Sequence, residues 1–209
     1  MYIKIKRILD IILAVILLII FFIPMLIVAI AIKLEDKGPV IYKSKRMGKD
    51  LKEFYVYKFR SMTTNRKELE SGLTHDKMVT KVGKFIRKTS LDELPQLFNI
   101  LKGEMSFIGP RPWIPEYYVW FDENQKRRTS VLPGISGLAQ VRGRNGINIF
   151  KKINYDLEYV DNISFKQDLK LVFETIKTVF LKDNAEISEM GIKEEINELK
   201  ESKEMSKVG

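Results

Sequence analysis

The sequence contains no cysteine and only one histidine, His75. Without cysteine the chain has no disulfide, no thiolate nucleophile and no cysteine-based metal site. It also lacks the Gly-x-x-x-x-Gly-Lys-Ser/Thr loop and the Gly-x-Gly-x-x-Gly fingerprint, which excludes a P-loop and a dinucleotide-binding turn. We interpret His75 as a solvated loop residue.

Charge is missing from one stretch of the chain and abundant elsewhere. Residues 11–32 form a run of 22 residues without a charge, whereas the remainder is rich in Lys and Glu. This contrast predicts a membrane segment joined to a soluble body. The net charge of +9 suits an anionic partner such as a phosphorylated ligand, an acidic lipid surface or nucleic acid.

The apolar run allows three interpretations. A straight helix of this length is roughly 33 Å long, about one bilayer core, so it suits a single spanning anchor. A cleaved signal peptide is disfavoured, because its apolar region is only about 7–15 residues long. Pro24 allows a re-entrant helix that breaks and returns, and basic residues at both ends draw both flanks to the cytoplasmic side. The physics of the sequence leaves the spanning and re-entrant forms open.

Periodicity and turn residues predict a mainly α-helical chain with one small β-hairpin. We divide it into a membrane segment at 1–37, a compact soluble domain at 38–182 and a charged C-terminal tail at 183–209, which is mobile or peripheral. The predicted hairpin strands are 40–45 and 53–60, and the predicted helices are 80–88, 94–101, 115–128, 149–160 and 164–181.

Aromatic residues cluster on and just before the helix predicted over 115–128. Beside basic residues, such a cluster is typical of an amphipathic element at a membrane interface. The same residues would suit an ordinary hydrophobic core, and the sequence leaves both interpretations open. The cluster consists of Trp113, Tyr117, Tyr118, Trp120 and Phe121.

Two adjacent carboxylates, Asp92 and Glu93, precede the helix predicted over 94–101. A purely structural interpretation is a capping box, since Ser90 and Glu93 have the Ser-x-x-Glu spacing. Pro95 fits better if the helix begins one or two residues later. Asp92 would then lie at the helix entrance, where the macrodipole favours the ionised form that a nucleophile or a metal ligand needs. Glu93 points about 100° further around the axis, near enough to share a cation.

Arg111 lies between two prolines, in the stretch Gly-Pro-Arg-Pro. The prolines restrict the backbone on both sides, and a pre-set guanidinium matches phosphate oxygens through paired hydrogen bonds. A nucleophilic carboxylate, a divalent cation and fixed arginines together indicate phosphoryl-group chemistry. Four further cations are candidates for the same electropositive pocket: Lys58, Arg60, Arg87 and Lys88.

Five spaced motifs resemble the bacterial sugar transferase family of monotopic phosphoglycosyl transferases. They are YKFRSM at 57–62, SLDELPQL at 90–97, MSFIGPRP at 105–112, PGISG at 133–137 and QVRGR at 140–144. The resemblance implies transfer of a sugar 1-phosphate from a nucleoside diphosphate sugar, commonly a UDP-sugar, to polyprenyl phosphate such as undecaprenyl phosphate. Such enzymes act at the cytoplasmic face of the bacterial inner membrane and release the nucleoside monophosphate.

Carried onto this chain, the resemblance makes Asp92 the nucleophile that forms a covalent phosphosugar intermediate. Glu93 helps to hold Mg²⁺, with Asp92 as a further metal ligand. The phosphate-binding residues are Lys58, Arg87 and Arg111. Asp168 matches a further family acid, and Asp156 matches another that we interpret as structural.

The resemblance also favours the re-entrant path at Pro24 and implies membrane lipids and downstream glycosyltransferases as partners, without nucleic acid. Two positions depart from the family pattern. Ile23 replaces a small polar residue before the proline, and Leu138 replaces a frequent Trp, which puts one aromatic contact in doubt. Two other functions compete: a non-enzymatic basic module that binds anionic lipid or nucleic acid, and a metal-dependent hydrolase.

Overall fold

A computed structural model describes residues 1–64, 78–143, 147–180 and 192–208. The interpretation of His75 as a loop residue and the Arg144 end of the QVRGR motif lie outside these residues. The described helices are α1 (Tyr2–Glu35), α2 (Lys81–Lys88), α3 (Gln96–Lys102), α4 (Glu123–Lys126), α5 (Leu138–Arg142), α6 (Ile149–Asp161), α7 (Phe165–Phe180) and α8 (Ile192–Val208). The strands are β1 (Ile41–Met47), β2 (Glu53–Phe59), β3 (Ser106–Ile108) and β4 (Gly134–Ser136).

The predicted mainly helical fold with one hairpin is confirmed. Strands β1 and β2 form a two-stranded sheet, and the short turn between them makes the pair antiparallel. A second sheet was not predicted. In it β3 pairs in parallel with β4, with Ser106 opposite Gly134 and Ile108 opposite Ser136.

Helix α1 contains the apolar run and extends beyond it at both ends. It has 34 residues, and the mean hydropathy of its most apolar window is 3.5, with 11% of that window buried. Among the described residues it is the one helix long and apolar enough to cross a membrane. The helix is continuous through Pro24, so a break and return at this proline stay predictions.

The chain divides into two compact units. The Asp92 unit comprises Ile8–Ser44 and Tyr55–Lys102, and the Asp156 unit comprises Met1–Arg7, Lys45–Phe54 and Gly103–Gly209. The core of the Asp92 unit joins the second half of α1 to β2 and α2. Its buried members are Val28, Ile32, Phe59 and Ile86.

Among its described residues the Asp156 unit has two hydrophobic clusters, and the first shows the role of the aromatic residues. Tyr117, Tyr118 and Phe121 are buried there against α6, so they are core residues rather than an exposed interfacial face. The helix predicted over 115–128 is in fact a series of short turns, with 3₁₀ segments at Pro115–Val119 and Arg127–Thr129 on either side of α4.

The second cluster packs α5, α6 and α7 against β3. It contains Leu138, which is 4% exposed beside Ile108, Tyr159 and Leu171. Leu138, the residue that replaces the frequent Trp, is therefore a core residue of this chain.

Helix α8 occupies most of the segment predicted to be a charged tail. Its Leu199 is 2% exposed and belongs to the first cluster of the Asp156 unit. Glu195 accepts hydrogen bonds from Tyr117 and Lys152. The described part of the tail is therefore helical and packed on the core.

Candidate active site

Asp92 lies in a 3₁₀ turn, Leu91–Glu93, and not in the first turn of an α-helix. The capping-box interpretation is wrong, because Ser90 has a left-handed backbone with φ of 57° and its side chain makes no capping hydrogen bond. Helix α3 begins at Gln96, immediately after Pro95. The proline has no N–H to donate, so the helix ladder starts beyond it.

Burial and neighbouring charges set the acidity of Asp92. Burial raises the pKa of its carboxyl group, Lys58 and Arg87 act in the opposite direction, and the adjacent Glu93 raises it further. We expected the helix macrodipole to favour the ionised form. Since α3 starts beyond Pro95, the Asp92 carboxylate is stabilised by the two cations and by a backbone hydrogen bond at Asp92 itself.

Lys58 and Glu93 contact each other directly. The Lys58 Nζ lies 2.7 Å from Glu93 Oε1, and the two side chains are 26% and 24% exposed. The residues predicted to bind a phosphate and a metal ion thus neutralise each other in this structure. A bound diphosphate could pair with Lys58 and a bound cation with Glu93, so the two ligands would replace this ion pair.

Asn99 ties α3 to β2 and thereby brings Glu93 and Lys58 together. Its Oδ1 accepts the backbone N–H of Tyr57 at 3.0 Å, and its Nδ2 donates to the carbonyl of Tyr55 at 2.7 Å. The side chain, which is fully buried, pairs with the edge of β2 as a neighbouring strand would. Sequence reasoning missed Asn99, because it lies off the apolar stripe of the helix.

Arg60 does not belong to the electropositive pocket, contrary to our prediction. Its side chain is 6% exposed and forms an ion pair with Asp36 at 3.4 Å. Its Nη1 and Nη2 donate to Thr64 Oγ1 and to the Asp36 carbonyl. A buried cation with these partners fixes the chain that follows α1. Lys88 is exposed at the end of α2.

Arg111 is exposed, and it lies in a loop of the Asp156 unit whose backbone is bound by a second arginine, Arg128. The Nη2 of Arg128 donates to the Arg111 carbonyl at 2.6 Å. Arg128 is 2% exposed, and its guanidinium lies 4.1 Å from the ring centre of Trp113. The Pro-Arg-Pro loop is therefore fixed through its backbone, while the Arg111 side chain faces solvent.

Asp156 is the buried partner of Arg128. Its Oδ2 accepts hydrogen bonds from Nε at 3.0 Å and from Nη2 at 2.6 Å. Burial raises the pKa of the Asp156 carboxyl group, and the charge and hydrogen bonds of Arg128 act against this rise. The arrangement fits the structural role that we predicted for Asp156. Arg128 itself was missed, because an arginine among surface-type basic residues carries no burial signal in the sequence.

Asp168 lies on α7 and holds the first turns of α1. Its Oδ2 accepts the Tyr2 hydroxyl and the Lys6 ammonium group, each at 2.6 Å. Its Oδ1 accepts the Tyr159 hydroxyl at 2.8 Å. Asp168 is 6% exposed, so a carboxylate with three donors anchors the start of the apolar helix.

The predicted site residues therefore fall into two groups. The Asp92 unit brings together Asp92, Glu93, Lys58 and Arg87, while Arg111, Asp156 and Asp168 belong to the Asp156 unit. The carboxylate of Asp92 thus lies among cations that suit phosphate groups, in a chain that also has an apolar helix of membrane length.

The chain belongs to the bacterial sugar transferase family, whose model matches residues 1–182. It is 42% identical over 178 residues to the "Uncharacterized sugar transferase EpsL" of Bacillus subtilis, a match that covers 85% of this chain and 88% of that protein. It is 43% identical over 190 residues to the UDP-glucose:undecaprenyl-phosphate glucose-1-phosphate transferase of Klebsiella pneumoniae, covering 86% of this chain and 41% of the relative.

A third relative has a different sugar in its name. The chain is 44% identical over 186 residues to the UDP-N-acetylgalactosamine-undecaprenyl-phosphate N-acetylgalactosaminephosphotransferase of Aeromonas hydrophila, covering 85% of this chain and 44% of that protein. The chain thus spans less than half the length of the two relatives whose substrates are named.

Proposed function

We propose that the protein transfers a sugar 1-phosphate from a UDP-sugar to polyprenyl phosphate through a covalent intermediate on Asp92. The single observation that carries this is the half-buried Asp92 carboxylate beside Lys58 and Arg87. A poorly hydrated carboxylate is an activated nucleophile, and the two cations complement the phosphates that it must approach. The names of the relatives support the same overall reaction.

In the first step a carboxylate oxygen of Asp92 attacks the sugar-bearing phosphorus of the donor. The bond from that phosphorus to the bridging oxygen breaks, and UMP leaves with the electron pair. In the second step a phosphate oxygen of polyprenyl phosphate attacks the same phosphorus and restores the free carboxylate. Lys58 and Arg87, which lie in the same unit as Asp92, neutralise negative charge on the substrate phosphates. Arg111 is a further phosphate-binding residue by resemblance to the family.

The carboxylates of Asp92 and Glu93 are suited to Mg²⁺. Hard oxygen ligands suit this ion, which commonly takes one or two protein carboxylates together with substrate phosphates. Among the described residues no cluster of three or more His, Cys, Asp or Glu side chains is present, so the remaining ligands would come from the substrate and water. When bound, Mg²⁺ would neutralise charge on the diphosphate of the donor.

Glu93 is the residue whose substitution tests the metal assignment. We expect Glu93→Gln to raise the Mg²⁺ concentration that gives half-maximal UMP release by about tenfold or more. A suitable control is Glu123→Gln, since Glu123 is an exposed residue at the start of α4. An unchanged Mg²⁺ titration in Glu93→Gln would remove Glu93 from the metal site.

Incubation of the purified protein with Mg²⁺, polyprenyl phosphate and a panel of UDP-sugars tests the reaction. One donor should yield UMP and lipid-linked sugar phosphate, and Asp92→Asn should abolish both. Asp161→Asn serves as the matched control, because Asp161 is a half-exposed acid at the end of α6. Near-normal turnover in Asp92→Asn would refute the nucleophile. Release of free sugar phosphate without the lipid would indicate a hydrolase.

We further propose that α1 is re-entrant and that both termini lie on the cytoplasmic side of the inner membrane. A UDP-sugar is made in the cytoplasm, so Asp92 must face it, and a spanning helix would carry Lys4, Lys6 and Arg7 outward. Tags at Met1 and Gly209 should both be accessible from the cytoplasm. Pro24→Ala should shift a fraction of molecules towards spanning, and labelling of Met1 only from outside would refute the re-entrant path.

Helix α7 is the element that we place at the membrane surface. Phe165, Leu169, Phe173 and Ile176 recur on one face and are 43–63% exposed. This face begins beside Tyr2, whose ring centre lies 6.3 Å from that of Phe165. An exposed apolar stripe next to the start of an apolar helix is suited to the lipid headgroup region. Because α1 would still hold the protein in the membrane, charged substitutions on this face should leave liposome binding intact but make α7 more accessible to water-soluble labels.

A further inference from the structure

We propose that Ser61 is a positioning residue that sets the plane of the Arg87 guanidinium. The inference rests on the proposed function, in which Arg87 binds a phosphate at Asp92. Arg87 is exposed at the end of α2, yet it lies near enough to Asp92 for its charge to oppose the rise in the pKa of that carboxyl group. An exposed arginine ordinarily samples many rotamers, so some contact must hold it towards the site.

That contact is a single hydrogen bond. The Nε of Arg87 donates to Ser61 Oγ at 2.8 Å. Because Nε lies in the guanidinium plane, a partner there fixes the plane and leaves the Nη1 and Nη2 edge available. In the described part of the chain neither of these two nitrogens donates a hydrogen bond. This edge is suited to two parallel hydrogen bonds to phosphate oxygens.

Ser61 is itself held against the helix that carries Arg87. It is 9% exposed, and its carbonyl accepts the backbone N–H of Thr80 at 3.1 Å. Gly83 allows this close approach, because a Cβ added there would lie 2.0 Å from the Ser61 carbonyl oxygen. Gly83 and Arg87 are four residues apart and share one face of α2. Gly83 therefore allows Ser61 to lie close to α2, where Arg87, one turn further along the helix, reaches the Ser61 hydroxyl.

The hydroxyl provides orientation and no net charge. Loss of the hydroxyl should leave the Arg87 charge near Asp92 but allow the guanidinium group to rotate. Misorientation of a group that binds the reacting phosphate lowers the reaction rate steeply. We expect Ser61→Ala to lower kcat/KM for UMP release by about 10- to 100-fold, mostly through kcat. Arg87→Lys keeps the charge without Nε, so it should show a similar loss.

A double-mutant cycle tests whether Ser61 acts through Arg87. Ser61→Ala should cost little in the Arg87→Lys background, because the shared hydrogen bond is already absent. Ser136→Ala is the matched control: Ser136 is also 9% exposed, its hydroxyl bonds Thr175 at 2.7 Å, and it lies in the other unit. This control should leave UMP release near normal.

The outcomes separate the two proposals. If the unmodified protein releases no UMP with any donor, the proposed function fails. If it does, then full activity in Ser61→Ala, or an equal loss in both backgrounds, would overturn the positioning role alone. Arg87→Lys alters an exposed side chain and is expected to fold even if Ser61→Ala does not. Full activity in Arg87→Lys would show that only the charge matters and would equally overturn it.

Discussion

Arg128 and Asp156 form an ion pair in which each side chain is 1% exposed, with 2.6 Å between Nη2 and Oδ2. Removing one partner of such a pair leaves the other charge buried and uncompensated. Because Nη2 of Arg128 also donates to the Arg111 carbonyl, the pair links core stability to the Pro-Arg-Pro loop.

We expect Arg128→Met or Asp156→Leu alone to lower the free energy of unfolding by about 3–5 kcal/mol. The double variant should recover most of this loss, since replacing both partners leaves no buried charge. Chemical denaturation in detergent or nanodiscs measures the three values. Single variants within about 0.5 kcal/mol of the unmodified protein would show that the charges are hydrated rather than buried.

The pH dependence of UMP release should report the surroundings of Asp92. Attack requires the carboxylate, so activity should fall as the pH drops through the Asp92 pKa, which burial raises above 3.8. Lys58→Gln removes a charge that lowers this pKa and should move the acid limb to higher pH. Glu93→Gln removes a charge that raises it and should move the limb to lower pH. Shifts in the same direction would contradict this electrostatic picture.

Asp92 should also reduce the stability of the protein at neutral pH. A carboxyl group whose pKa is higher in the folded than in the unfolded state lowers stability as the pH rises through these two values. Asp92→Asn should therefore raise the free energy of unfolding at pH 7 while abolishing turnover, and the gain should vanish below the ordinary carboxyl pKa. Unfolding curves at both pH values measure it. A lower stability of Asp92→Asn at pH 7 would contradict a carboxylate that is destabilised by burial.

The anchor at Asp168 should control the order of the N-terminal turns. Asp168→Asn removes the charge that Lys6 contacts and should speed amide hydrogen exchange in the first two turns of α1 by about tenfold or more. Tyr2→Phe is a milder variant, because it removes one of the three donors to Asp168. Unchanged exchange in Asp168→Asn would mean that packing alone orders these turns.

The sequence predicted the elements that local signals define. Helix α2 begins after the capping residue Thr80, and α3 ends where Gly103 adopts a positive φ of 84°. Both signals act within a few residues. By contrast, β3 and β4 have only three residues each, too few to show an alternation of apolar and polar residues. They also pair over a separation of 28 positions, from Ser106 to Gly134.

The site was predicted less completely than the fold. The motifs identified Asp92 and Glu93, but the residues that hold them are recognisable only through contacts distant in sequence. Asn99 and Arg128 are polar residues that became buried because each found several partners, and burial of this kind leaves no periodic pattern. Arg60 was misassigned for the same reason.

Helix α8 shows that the family boundary is not the folding boundary of this chain. The family match ends at residue 182, whereas Leu199 fills a place in the first cluster of the Asp156 unit. Burying one leucine side chain contributes about 1.5–3 kcal/mol, and Glu195 adds its contacts with Tyr117 and Lys152. A protein trimmed after residue 182 would expose the apolar surface of the first cluster that Leu199 covers.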